Sequence, residues 1–197
     1  MLSVVSGCRK KKATTTYIPE QLKEYSVFLA GSYWVFKNET TLAIDSSYIL
    51  ELNHGFRNPG LELDLGPNDE VYGMGFSGTL IEGSIVLPGE TDILFKNGFI
   101  VGDQSPCLKS ASFRAGFVDS SIPYVFKNLE YFDSLSVNNK MYYQVIHTQW
   151  KWTTTWSSDD TVTSEYFIAK SIGFIKLYQK QNTIGTTWSL LRYHVFQ

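Results

Sequence analysis

The chain has 197 residues, a net charge of −2, 43% hydrophobic and 15% aromatic residues, and two cysteines. A length of this order fits one domain whose core buries roughly 70% of the unfolded surface, so no disulfide framework is required. The slight acidity leaves no basic excess for nucleic acid, and no apolar run approaches the ~18 residues of a spanning helix, so the body is expected to be soluble.

Residues 1–16 read as a leader remnant followed by a tether. In Val5-Ser6-Gly7-Cys8 small residues precede a cysteine at the end of an apolar run, the arrangement of a bacterial lipobox. In that motif a signal peptidase cuts before the cysteine and the thiol carries lipid. Only Leu2, Ser3, Val4 and Val5 stand before the small residues, whereas an export signal needs a charged start and roughly 7–15 apolar residues. Two readings stay open: a start that lies upstream, which makes Cys8 the lipidation site, or a cytosolic chain with Cys8 in a frayed tail. The first is preferred, because Arg9-Lys10-Lys11-Lys12 and the Thr-rich stretch to Thr16 lack apolar periodicity and suit a mobile tether. Four cations would each add about 1 kcal/mol near anionic headgroups, and one acyl chain with a basic patch holds a membrane more firmly than the chain alone. Without acylation, a Cys8–Cys107 bridge is open to an exported chain.

From residue 17 to 197 the chain reads as a single β-rich domain. Pro19 to Phe28 is the one helical stretch, and Gly31 before Ser32 marks the start of a first strand containing Trp34. In Ile44–Leu52, Ile44, Tyr48, Leu50 and Leu52 share one face and Asp45, Ser47 and Glu51 the other, the period of a strand with its apolar half buried. Gly73–Gly78 is too rich in glycine for a central strand and is expected to be a bulged edge or a loop. Alternation recurs over Thr79–Leu87, Ala111–Val118, Tyr124–Phe132, Lys140–Trp152, Val162–Lys170, Ile172–Leu177 and Thr186–Phe196. Turn residues divide these runs, among them Asn58-Pro59-Gly60, Pro88-Gly89, Asn138-Asn139 and Ser157-Ser158-Asp159-Asp160. Asn97-Gly98, between Ile93-Leu94-Phe95 and Phe99-Ile100-Val101, is the sharpest hairpin signal, because a type I′ turn needs positive φ at both central residues. Gly173, between Ile172 and Phe174, marks a bulge or a close backbone approach. The expected class is all-β: an antiparallel, strongly curved sheet or barrel-like domain with at most one short helix.

Groups able to do chemistry are scarce. His54, His147 and His194 are far apart and no Gly-x-Ser-x-Gly elbow occurs. A hydrolase with a triad dispersed around His147 or His194 is therefore the weakest reading, and no enzyme activity is expected. Neither His-x-x-x-His nor Cys-x-x-Cys appears, so neither zinc nor any other cofactor is expected. Cys107, between Pro106 and Leu108, reads as a small hydrophobe rather than a nucleophile. The acidic run Glu62–Glu70 gives a weak calcium candidate in Asp64, Asn68, Asp69 and Glu70, set against a solvated turn in which Asp and Asn cap their own backbone. Trp150-Lys151-Trp152-Thr153-Thr154-Thr155-Trp156 is the leading contact surface. On a strand Trp150, Trp152 and Trp156 share parity, so their rings could stack on pyranose rings or pack on an apolar ligand; the competing reading makes that face the core.

Three stretches together resemble small, mostly uncharacterised lipoproteins of the Bacteroidetes type. They are Gly31–Lys37 with Ile44–Tyr48, then Leu129–Tyr142, then Glu165–Lys176 with the closing Thr187–Tyr193. The resemblance covers about half the chain. It implies a lipoprotein of a Gram-negative cell envelope with a β-rich body, and it brings no catalytic residues to carry over. Surface-exposed lipoproteins of this type carry acids after the cysteine, so the basic Arg9–Lys12 implies the periplasmic face of the outer membrane. The function expected is that of a lipid-anchored, non-catalytic binding or structural module, held to the membrane through Cys8, with an apolar groove for an apolar or glycan ligand. The alternative is a carbohydrate-binding module using Trp150, Trp152 and Trp156.

Overall fold

The computed structural model describes residues 15–18, 20–57, 68–78, 80–81, 84–86, 93–95, 125–153, 161–181 and 184–197. Within them lie one helix, α1 (Glu20–Ser26), and eleven strands: β1 (Thr15–Thr16), β2 (Tyr33–Asn38), β3 (Ile44–Arg57), β4 (Asn68–Ser77), β5 (Ser84–Val86), β6 (Ile93–Phe95), β7 (Val125–Val137), β8 (Lys140–Thr153), β9 (Thr161–Ala169), β10 (Gly173–Gln181) and β11 (Ile184–His194). All strands belong to one sheet in the order β6-β5-β4-β3-β2-β11-β10-β9-β8-β7, and β1 joins β4. Every pairing is antiparallel except β1 with β4. The sheet curls into a half-barrel, so the all-β, strongly curved class expected from the sequence is the class observed.

Period-two alternation feeds the inner face. Trp34 and Phe36 of β2, Ile49 of β3, Met74 of β4, Ile146 of β8, Tyr166 and Ile168 of β9 and Leu190 of β11 form one buried cluster, which Tyr25 and Phe28 join from α1 and the segment after it. The short helix closes this concave side. Glu24 ties it to the β9–β10 turn twice, through its carbonyl, which accepts from the Ser171 amide (2.7 Å), and through its carboxylate on Lys170 (3.0 Å). At the β7–β8 corner Asn138 and Asn139 take φ of 50° and 60°, the left-handed pair that a two-residue type I′ hairpin demands. The asparagine turn read from the sequence is thus the observed one.

Gly173 is both a bulge and a close approach. Its φ is +85°, and the β9–β10 register shifts between Phe174 and Lys176. A Cβ there would stand 3.0 Å from Phe28 and 3.1 Å from Trp34, so the missing side chain lets two large rings reach the backbone.

Three expectations need correction. Gly73–Gly78 is neither edge nor loop: residues 73–77 lie in β4, between β3 and β5. Its glycines alternate with Tyr72, Met74 and Phe76, which face the core, so the strand keeps an apolar face while its glycine side leaves room for the Glu51 side chain of β3 to lie against Gly75. Thr79–Leu87 is not one continuous strand; Leu80 and Ile81 are buried in a bend, and among its described residues Ser84–Val86 pair. The two faces of Ile44–Leu52 are exchanged. Ser47 and Ile49 are buried, while Ile44, Tyr48 and Leu50 are exposed, and a bulge between Ile49 and Glu51 returns Leu52 to the core side. Packing of Ile49 against the Trp34 layer wins over the simple count of apolar residues per face. The Asn97-Gly98 hairpin and Ala111–Val118 lie outside the described residues.

Candidate functional site

The apolar residues left on the outer face of β3 gather with neighbours from β2 and β11 into a groove. Outer-face residues pair in rows across the three strands: Tyr48, Tyr33 and His194, then Ser46, Val35 and Arg192, then Ile44, Lys37 and Ser189. Arg192 reaches this face through a bulge. It has the parity of buried Leu190, and the register shift between the two turns the guanidinium outward. Tyr33 stacks on His194 (6.0 Å between ring centres, 26° between planes), and Phe196 meets His194 edge-on at 4.5 Å. Gly31, Tyr33, Val35, Ser46, Tyr48 and Arg192 line a shallow cavity of about 370 Å³. Tyr33 is 37% exposed and Tyr48 43%, with Val35 as a nearly covered floor. Among the described residues, the Arg192 guanidinium and the Lys37 ammonium have neither a hydrogen bond nor an ion pair. The trough combines ring faces, an apolar floor and cations that are unpaired among the described residues.

A second cluster lies on the inner side, under the start of the chain. Glu70 of β4 is only 5% exposed, yet it is fully engaged. Its Oε2 accepts from the Ile18 amide (2.9 Å) and lies 3.2 Å from Lys23 Nζ; its Oε1 accepts from Tyr72 Oη (3.1 Å) and sits 3.0 Å from His54 Nε2. His54 lies flat on Tyr72, with ring centres 4.3 Å apart. Burial alone would raise the Glu70 carboxyl, but the Ile18 amide and Lys23 outweigh it and hold the group below its ordinary value. For Lys23, burial acts to lower the value, and the hydrogen bonds to Glu20 and Glu70 overcome it, leaving the ammonium above the usual range. Tyr72 is pushed up, first by burial and then by the negative Glu70. The cluster pins residues 15–26 to the sheet. The oxygens that a calcium reading assigns to Glu70 are spent on an amide, an ammonium, a phenol and an imidazole.

The third cluster sits on the outer face of β8 and β9. Glu165 Oε2 is 3.1 Å from His147 Nε2, and its Oε1 accepts from Gln149 Nε2 (2.7 Å), while the His147 ring stacks on Phe167 at 4.1 Å. This is a carboxylate–imidazole pair without a nucleophile: among the described residues no hydroxyl is hydrogen-bonded to His147, and His194 touches rings rather than a carboxylate. Trp150 and Trp152 occupy β8 opposite Ser164 and Val162. Their side chains fall outside the described residues, as do Trp156, Cys8, Cys107 and Asp64 entirely and the side chains of Asn68 and Asp69.

The groove is not legible from the sequence because two bulges reset parity at its borders. Cross-strand aromatic partners also cannot be paired without the register. What fold and site define is an all-β open-sheet protein carrying an aromatic, cation-edged outer trough. Comparison of the chain with protein-family models, with curated proteins and with solved structures finds no match in any of the three.

Proposed function

We propose that this chain is a lipid-anchored protein of the bacterial cell envelope, acylated at Cys8, whose β-rich body is a non-catalytic binding module. The observation that carries the binding reading is the exchanged face of β3. A solvated sheet face is ordinarily polar, yet here Tyr33, Tyr48, Ile44 and Leu50 are exposed on a face that also carries Arg192, an arginine with no hydrogen bond or ion pair among the described residues. Rule-breaking of this kind concentrates where a surface serves a partner rather than the fold. The anchor reading is supported by Val5-Ser6-Gly7-Cys8 and the basic run after it. It is tested with the gene expressed under its native upstream region in a Gram-negative host fed labelled palmitate. Label is expected in the wild-type product, together with fractionation to the membrane, and both are lost in Cys8→Ala. Equal labelling of the two proteins, or none in either, removes the anchor and leaves the groove to be judged by itself.

A further inference from the structure

We propose that the trough on β3, β2 and β11 binds an acidic saccharide chain, with a sugar carboxylate on Arg192 and sugar rings against Tyr33 and Tyr48. This rests on the reading of the outer face as the binding face and adds the class of ligand.

Charge is the first ground. Arg192 lines the floor and Lys37 stands in the neighbouring row, which continues through Ser189 to Lys176 of β10. Against them stand two acids. Glu39 is held by Lys176 (3.6 Å) and by the Ser189 hydroxyl, and Glu51 lies beyond the β3 bulge. With Lys176 and Glu39 paired, Lys37 and Arg192 stand against Glu51, a local excess of one positive charge in a chain of net charge −2. A guanidinium with no protein partner among the described residues, set beside an apolar floor, is well placed for a bidentate carboxylate.

Shape is the second. The Tyr48–Tyr33–His194 row crosses two strand spacings, roughly 10 Å, which accommodates a disaccharide lying across the strands. The trough is shallow and open to solvent, whereas a small free ligand gains most by being enclosed on most of its surface. An open, shallow trough with exposed tyrosines suits a polymer that passes over it, since tyrosine offers an apolar ring face and a hydroxyl to the same sugar.

The test uses the full chain, wild type and variants, with a panel of galacturonate, glucuronate and mannuronate oligomers, methyl-esterified galacturonate oligomers as the uncharged counterpart, and phosphatidylglycerol vesicles. Binding is read by calorimetry, and folding of every variant is checked by its denaturation midpoint. At least one acidic oligomer is expected to bind. Its affinity should fall about tenfold in Arg192→Gln and about fivefold in Tyr33→Ala or Tyr48→Ala, and esterification should weaken it as much as loss of the arginine does. Equal binding of acidic and esterified oligomers, unmoved by Arg192→Gln but lost in Tyr33→Ala, overturns the acidic ligand and keeps the groove. Vesicle binding lost in Arg192→Gln, with no oligomer bound, overturns the saccharide in favour of a lipid surface. Oligomer binding that ignores all three substitutions overturns the site itself, and the underlying reading with it.

Discussion

Trp34→Ala is expected to destabilise the folded chain by about 4 kcal/mol, in the range for a fully buried aromatic replaced by alanine. The indole is 0% exposed. It meets Phe28 edge-on at 5.1 Å and Phe174 at 6.3 Å, and lies nearly parallel to Phe76 at 6.0 Å, so no neighbour can fill its place without abandoning another. Its Nε1–H donates to the Ile172 carbonyl at 2.6 Å, beside the positive-φ Gly173. Removal therefore opens a cavity and also leaves the β9–β10 turn carbonyl without that donor. Trp34→Phe separates the two effects. It keeps much of the packing and loses the hydrogen bond, for an expected cost of about 2 kcal/mol. Urea denaturation midpoints at neutral pH measure both. Values within about 0.5 kcal/mol of wild type for each variant, the size of an ordinary surface change, would show that the concave core is not organised around this ring.

Glu70→Gln is expected to cost about 3 kcal/mol at neutral pH. It leaves a mostly buried Lys23 with only the exposed Glu20 carboxylate as charge partner and weakens the bonds to Ile18 and Tyr72. The effect should depend on pH in a definite direction. Folding holds the Glu70 carboxyl below its ordinary 4.5, so the stability it lends is fully present above that pH and is lost as the pH falls through the folded value. Lys23 is held above its ordinary 10.5; its share is present below that pH and fades as the pH rises through the folded value. Between these limits the difference between wild type and Glu70→Gln should be flat, and in acid below 4.5 it should shrink as the wild-type carboxyl takes up its proton. Denaturation midpoints of both proteins from pH 7 downward measure this. A difference that stays constant well into acid would mean that Glu70 acts through packing rather than charge.

How far the sequence can be read differs from one element to the next. Alternation along β8, β9 and β11, the asparagine pair at 138 and 139 and the short helix after residue 19 are local signals, and local signals survive folding. So does Gly173, since a glycine inside a β-rich run marks a bulge or a close approach to the backbone. Glu70 is the opposite case. It stands in an acidic run that reads as a solvated turn, and its partners Ile18 and Lys23 lie 52 and 47 residues away, so nothing near it announces burial. The groove was hidden by a third kind of difficulty. Bulges at Ile49/Glu51 and Leu190/Arg192 insert one residue each, and every parity assignment beyond them inverts. Tyr48 and Arg192 were therefore visible as residue types but not as neighbours. The rule that apolar residues face inward fails on β3, where Ile44, Tyr48 and Leu50 are exposed and Ser47 is buried beside Ile49.

That the outer face of β3, β2 and β11 is the binding surface is tested most directly by amide chemical-shift mapping of the isotope-labelled full chain titrated with a galacturonate oligomer. Saturable shifts centred on Tyr33, Val35, Ser46, Tyr48 and Arg192, and absent in Tyr33→Ala, are the expected result. Shifts centred instead on the Trp150–Trp152 stretch of β8, or spread evenly over both faces of the sheet, would contradict it.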